Sequence, residues 1–183
     1  DEYSIAVLKQ QSFTNNIVPY KRGDIKDRNG NILATSTVVY NMVVDAKMLS
    51  KEENQEYLQP TIDAVVKYFG LNTDDLKTSI KEHGTTSYWI AQKDISYDKV
   101  KEFKSYCNGD YAKTDLEKEQ AAAVKFIYFE REYKRVYPYD TLACSVLGFA
   151  NKNNEANIGI ESSYNSYLKG TEGREYGYMD ADN

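Results

Sequence analysis

The chain has 183 residues, 41% hydrophobic and 28% charged, enough to bury a sizeable core as one large domain or two small ones. Its net charge of −5 argues against a nucleic-acid partner, because phosphate contacts need a basic footprint. No apolar run reaches the length of a transmembrane helix, no signal peptide is visible, and Cys107 and Cys144 lack the C-x-x-C spacing of a zinc or redox motif. One disulfide or two half-buried thiols are both compatible with that count.

In chain order, residues 1–13 carry Ile5, Val7, Leu8 and Phe13 as a loose helical or extended lead-in, suited to a stalk or to a frayed end. Residues 21–34, K-R-G-D-I-K-D-R-N-G-N-I-L-A, then form the stretch around which the rest is organised. Asn29-Gly30 predicts a two-residue type I′ hairpin turn, which sets Arg28 opposite Asn31, Asp27 opposite Ile32, Lys26 opposite Leu33 and Ile25 opposite Ala34. Arg22, Asp24, Asp27 and Arg28 crowd the strand entering that turn, so they are either solvated or paired with groups from elsewhere. Residues 37–46 (T-V-V-Y-N-M-V-V-D-A) read as a central strand. Val39, Met42 and Val44 cannot share one face by strict alternation, which calls for a bulge or burial on both sides.

From Ser50 the pattern turns helical. Pro60 is expected in a first helical turn, followed by Ile62, Val65, Val66 and Phe69 on one face and Gly70 as the stop. A shorter helix from Thr73 turns Leu76 and Ile80 inward and stops at Gly84. Residues 87–91 (S-Y-W-I-A) are a strand. Ser96 caps a further helix, with Ile95 and Val100 placed as a hydrophobic staple and Phe103 continuing the stripe. Asn108-Gly109 is a turn, 114–123 an exposed helix, and 125–133 (K-F-I-Y-F-E-R-E-Y) a strand returning to the sheet. The residues between about 50 and 123 therefore read as an insertion.

Two more motifs follow. Arg135-Val136-Tyr137-Pro138-Tyr139 precedes a helix that Asp140 can cap, with Leu142, Val146 and Leu147 inward and Gly148 closing it. Gly159-Ile160-Glu161 opens a helix whose stripe is Ile160, Tyr164, Tyr167 and Leu168. Glu161 falls in its first turn, where a carboxylate suits the helix dipole, and Gly170 follows.

The three stretches together, R-G-x-I-x-D-R-N-G-x-x-L-A, then R-x-Y-P ahead of a helix ending in L-G, then G-x-E-x-x-Y with L-x-G, resemble the ordered motifs of the N-terminal, non-catalytic region of class B penicillin-binding proteins. This resemblance spans Arg22 to Gly170. It implies the extracytoplasmic pedestal, or dimerisation, domain of a membrane-anchored D,D-transpeptidase that cross-links peptidoglycan, with a single-pass anchor ahead of Asp1. It also implies partners: the protein's own downstream transpeptidase domain, a SEDS-family glycosyltransferase and other cell-wall synthesis proteins, with a homodimer left open. No cofactor is implied. The residues it marks as structural or interdomain are Arg22, Gly23, Asp27, Arg28, Gly30, Arg135, Tyr137, Pro138, Gly148, Gly159, Glu161 and Gly170. Charges recur in all three motifs, so Arg22, Asp27, Arg28, Arg135 and Glu161 are expected to meet in one cluster.

No catalytic or metal residue is expected in this chain. The family's transpeptidase uses S-x-x-K, S-x-N and K-[ST]-G in a separate downstream domain. Here S-x-x-K occurs at Ser96/Lys99, where Ser96 is better explained as a helix cap, and at Ser166/Lys169, which S-x-N at Ser163/Asn165 precedes on one helix in the wrong order and spacing, and K-[ST]-G is missing. Arg22-Gly23-Asp24 matches an adhesion tripeptide, which keeps an extracellular adhesion or protein-binding module as the alternative reading. Residues 27–31 resemble part of a calcium loop, but Gly30 stands at the fourth position where the sixth is needed. His83 has no second His and reads as a helix-end residue. The expected fold is α/β (α+β), with a small mixed-sheet base from both chain ends and an inserted helix-rich lobe. The expected division is 1–20 as lead-in, 21–49 plus 124–183 as base and 50–123 as lobe.

Overall fold

The computed structural model describes residues 13–139, 144–151 and 154–178. The strands are β1 (Phe13–Val18), β2 (Ile25–Lys26), β3 (Ile32–Val44), β4 (Trp89–Ile95), β5 (Ile127–Val136) and β6 (Gly173–Tyr178). The helices are α1 (Ala46–Leu49), α2 (Gln55–Phe69) entered through a 3₁₀ turn at Glu52–Asn54, α3 (Thr73–Glu82), α4 (Tyr97–Cys107), α5 (Asp115–Ala122), α6 (Cys144–Leu147), α7 (Gly159–Ser163) and α8 (Asn165–Leu168). The fold is thus mixed α/β. One compact unit takes the described residues up to Thr37 and from Tyr133 onward, and a second takes Val38–Glu132. Strands β3 and β5 each contribute to both units. β2, β4 and β5 all pair with β3, and β1 pairs with β6 from Phe13↔Tyr178 to Val18↔Gly173.

The second unit has the larger apolar core. Met42 and Val44 of β3 pack with Leu49, with Ile62, Val65 and Phe69 of α2, with Leu76 and Ile80 of α3, and with Ile95, Val100 and Phe103. Each such side chain contributes about 1.5–3 kcal/mol by leaving water. Phe69, Phe103 and Phe129 meet with ring centroids 5.1–5.8 Å apart. The predicted stripe on α2 holds, but the helix starts at Gln55, so Pro60 lies in its interior rather than in the first turn. Leu58, four residues before Ile62 and packed on the same core, carries the stripe back into this earlier turn. The N–H that Pro60 lacks would have met the carbonyl of Glu56, an exposed residue open to solvent. Gly70 closes the helix in the left-handed region, at φ 71°, with its N–H on the Val66 carbonyl.

Both explanations for Val39, Met42 and Val44 apply. The register between β3 and β4 slips twice, around Met42, with the extra residues in β4, where Asp94 has φ 60°. Asn41 to Val44 are all buried. Asn72 caps α3 by accepting from Asp74 and Asp75, and Thr114 and Glu117 form a capping box on α5. Ser96 occupies the N-cap of α4, yet its hydroxyl makes no cap hydrogen bond, so the staple residues Ile95 and Val100, both buried, define that entry. His83 ends α3, stacked on Trp89 with ring centroids 4.8 Å apart.

Cys107, the last residue of α4, is a free thiol whose pKa burial pushes up to about 11. A raised thiol pKa leaves little thiolate at neutral pH, and the thiolate is the nucleophile. In a Cys144→Ser background, alkylation of Cys107 by iodoacetamide should therefore be slow at pH 7.5 and accelerate steadily toward pH 11. A rate that levels off by pH 9 would contradict this environment.

Candidate functional site: a buried Arg–Glu–Arg network

In the unit built from the chain ends the apolar cluster is small. Ile25, Ala34 and Leu147 are buried, with Leu33, Tyr137, Ile160 and Leu168 packed around them. Beside it sits an ionic network that is as thoroughly buried. Arg22, in the segment entering β2, and Glu161, in the first turn of α7, are both fully buried. Arg22 Nε donates to Glu161 Oε2 at 2.7 Å, and its Nη2 donates to the Glu161 carbonyl at 2.8 Å. Its Nη1 reaches Asn165 Oδ1 at 2.7 Å and the Asn154 carbonyl at 3.4 Å. From β5, Arg135 Nε donates to Glu161 Oε1 at 2.8 Å, while Nη1 donates to the Gly23 carbonyl at 2.8 Å and to Ser36 Oγ at 3.3 Å. The Tyr137 hydroxyl donates to the same Oε1 at 3.2 Å and accepts the Ala150 N–H at 2.9 Å. Burial is the main cause that pushes the Tyr137 phenol up, with the Ala150 N–H opposing it.

Each oxygen of Glu161 is therefore taken by donors fixed on other elements. Two guanidiniums converge on one carboxylate, which is expensive to desolvate and worthwhile only when the remaining polar atoms are bonded. Almost all are; Arg135 Nη2 is buried without an acceptor among the described residues. Both carboxylate oxygens are thus engaged by side chains from other parts of the same unit. The arrangement is a clamp. It ties residues 22, 135 and 161, far apart in sequence, to one point.

Backbone packing supports it. Gly148 (φ 72°) and Gly159 (φ 69°) lie backbone against backbone, so close that a Cβ on Gly148 would sit 1.9 Å from the Ile158 carbonyl oxygen. A Cβ on Gly170 would meet Tyr20 Cβ at 2.9 Å. The Gly23 N–H donates to the Leu168 carbonyl at 2.9 Å, drawing the first motif onto the third.

A family model described as the penicillin-binding protein dimerisation domain matches residues 17–183. The chain belongs to that family. It is similar to stage V sporulation protein D of Bacillus subtilis (strain 168), 29% identical over 181 residues that are 95% of this chain and 24% of that protein. A probable peptidoglycan D,D-transpeptidase PenA of Neisseria gonorrhoeae is 27% identical over 161 residues, 86% of this chain and 24% of that one. Among solved structures, penicillin-binding protein 2X from Streptococcus thermophilus is similar with 25% identity and a TM-score of 0.63, over 92% of this chain and 26% of that one. The chain spans about a quarter of the length of these relatives.

The dimerisation-domain motifs meet only in part as expected. Arg22, Arg135 and Glu161 form one network, with Tyr137 added. Asp27 and Arg28 are not in it. Asp27 Oδ1 accepts from the N–H groups of Asn29 and Asn31, at 2.8 and 2.9 Å, and Oδ2 accepts from the Asn31 side chain. These bonds hold its carboxyl below the usual range. Arg28 is exposed on the turn. The turn itself is not type I′. Of its two central residues only Gly30 has positive φ, 87°, and Asp27 pairs with Asn31 across a three-residue loop. Ile25 stays opposite Ala34, while Lys26 faces Ile32 across a bulge. An Asp at the first turn position can bond the backbone two residues on, and this favoured the longer loop.

The third-motif stripe divides. Ile160 and Leu168 pack on the small core, whereas Tyr164 and Tyr167 are exposed, and Val146 of the second motif is exposed as well. Pro138 is exposed just past β5. Asp140 and Leu142 lie outside the described residues. Sequence reading missed Ser36, Asn154 and Asn165. Asn165 had a usable signal, four residues after Glu161 and so on the same helical face. The Asn154 contribution is a backbone carbonyl, which no side-chain pattern announces. The adhesion tripeptide loses its arginine to the network, since Arg22 is fully buried, and Asp24 Oδ1 accepts from Thr35 Oγ1 at 2.7 Å.

Proposed function

We propose that this domain is the non-catalytic, extracytoplasmic pedestal of a membrane-anchored class B penicillin-binding protein. It supports and positions a downstream D,D-transpeptidase domain and offers docking surface to a SEDS-family glycosyltransferase and other cell-wall synthesis proteins. The observation that carries this reading is the family match over residues 17–183 in a chain that covers only about a quarter of relatives named as transpeptidases. The clamp supports it: three sequence motifs are spent on closing one rigid unit rather than on placing a nucleophile. Ser96 and Lys99, and likewise Ser166 and Lys169, are exposed. A Ser acting as nucleophile needs a base and a shielded oxyanion site, so exposed pairs of this kind suit a support better than a catalyst.

Fluorescent-penicillin labelling of this 183-residue chain beside the full-length product of its gene tests the reading. Label on the full-length band alone is expected. Label on the 183-residue chain would overturn the support role and direct attention to Ser96 or Ser166. Label on neither would favour the adhesion or protein-binding module.

A further inference from the structure

In the unit of Val38–Glu132, helices α2, α4 and α5 leave a cavity of about 190 Å³ between them. Lys67 and Tyr68 line it from α2, Tyr106 from α4, Tyr111 from the turn beyond, and Glu117 and Gln120 from α5. Pockets for drug-sized molecules run to roughly 300–1,000 Å³, so this one has room for a single small ring. Its polar groups are unengaged. Among the described residues the hydroxyls of Tyr68, Tyr106 and Tyr111 and the amide of Gln120 have no hydrogen-bond partner, whereas the hydroxyls of Tyr88 and Tyr137 are bonded to Glu130 and Glu161. Burial pushes the phenols of Tyr68 and Tyr106 up, so both remain protonated donors at neutral pH. Glu117 accepts the Lys113 and Thr114 N–H groups, at 2.6 and 3.1 Å, through Oε2 alone, which leaves Oε1 to accept from a ligand. Those bonds hold its carboxyl below the usual range.

This lining discriminates between ligand classes. A cation is disfavoured because one is already in place: Lys67 Nζ lies over both rings, 5.2 Å from the Tyr68 centroid and 5.1 Å from that of Tyr106. A phosphate would meet the Glu117 carboxylate, with a single lysine in the lining to offset it. An apolar side chain would cover the open hydroxyls without bonding them, which costs more than leaving them in water. A neutral sugar ring meets every condition. Its C–H face suits an aromatic wall, and its hydroxyl edge supplies both donors and acceptors. We infer that this cavity binds one neutral pyranose ring, with the phenols of Tyr68, Tyr106 and Tyr111, the Gln120 amide and Glu117 Oε1 bonding its hydroxyls. The inference goes beyond the pedestal reading and does not depend on it, since penicillin labelling reports nothing about this cavity.

Titration of the isotope-labelled 183-residue chain with glucose and with N-acetylglucosamine, followed by two-dimensional NMR, tests it. At least one of the two sugars should give saturable shifts at the amides of Tyr68, Tyr106, Tyr111 and Gln120. Tyr111→Phe and Gln120→Ala each remove one hydrogen bond at an exposed position, so the free protein should keep its spectrum while binding weakens about two- to tenfold. Tyr128→Phe, at a similarly exposed tyrosine elsewhere in the unit, should leave the affinity unchanged. Shifts that fall elsewhere, or none with either sugar at tens of millimolar, would overturn the inference. Unchanged affinity in both Tyr111→Phe and Gln120→Ala would overturn it as well. Tetramethylammonium shifting the same amides more strongly than either sugar would overturn it in favour of an aromatic cage for cations.

Discussion

Glu161→Ala is expected to cost about 3–5 kcal/mol, because it leaves two buried guanidiniums without their counter-ion. Arg22 and Arg135 cannot swing out to solvent without abandoning Asn165, Gly23 and Ser36, to which they are also bonded. Glu161→Gln should recover little. An amide keeps the shape but brings no charge, and it turns an N–H₂ toward a donor that was bonded to an oxygen. The loss should be confined to the unit formed by the chain ends. Trp89, the sole tryptophan, lies in the other unit and would report the wrong event. Amide hydrogen exchange in Ile32–Thr37, the part of β3 that belongs to the clamped unit, reports the right one. Protection there should collapse while that of α2 persists. Uniform loss across both units would show that the clamp does more than close its own unit.

The second large effect is expected at Gly148. Alanine there must adopt φ near 72°, which costs about 1–2 kcal/mol for a residue with a Cβ. Its methyl carbon would also lie 1.9 Å from the Ile158 oxygen and 2.6 Å from the Ile158 carbonyl carbon. Both obstacles are backbone, so neither can rotate away, and the crossing of α6 with α7 must open. Gly30 offers the control. Its φ is 87°, but nothing lies within 4 Å of the site where a Cβ would be added. Gly30→Ala should therefore stay at the roughly 1–2 kcal/mol of conformational cost. Urea titrations of the two variants should separate clearly, with Gly148→Ala the weaker protein. Equal midpoints would mean that the close approach at Gly148 relaxes without penalty.

These two sites also show what the sequence could and could not reveal. The periodic elements were readable: the stripe on α2, the buried pair on α3 and the strand β5 all follow from local pattern. So did the glycines, since turn and helix-end positions have a local signature. Pairing was less accessible. The hairpin was misjudged by one residue because Asn-Gly favours a two-residue turn while the carboxylate of Asp27, bonding Asn29 and Asn31, stabilises a three-residue one. Recurring charge in three motifs correctly suggested that ionic groups meet. It did not say which ones. Arg28 and Arg22 look alike in sequence, and only the packing of Leu168 on Gly23 and of α7 beneath it decides that Arg22 goes inward. The β1–β6 ribbon was invisible for the same reason, since its partners stand at opposite ends of the chain.

A double-mutant cycle on Arg135 and Glu161, with Arg28 and Glu161 as the reference cycle, tests most directly whether the three motifs exist to close one buried network. The structure predicts a coupling of about 0.5–3 kcal/mol between Arg135→Ala and Glu161→Ala, because they share a hydrogen bond, and additivity within about 0.5 kcal/mol for Arg28→Ala with Glu161→Ala. Additivity in the first cycle would contradict the clamp, and equal coupling in both would mean that Arg28 belongs to it after all.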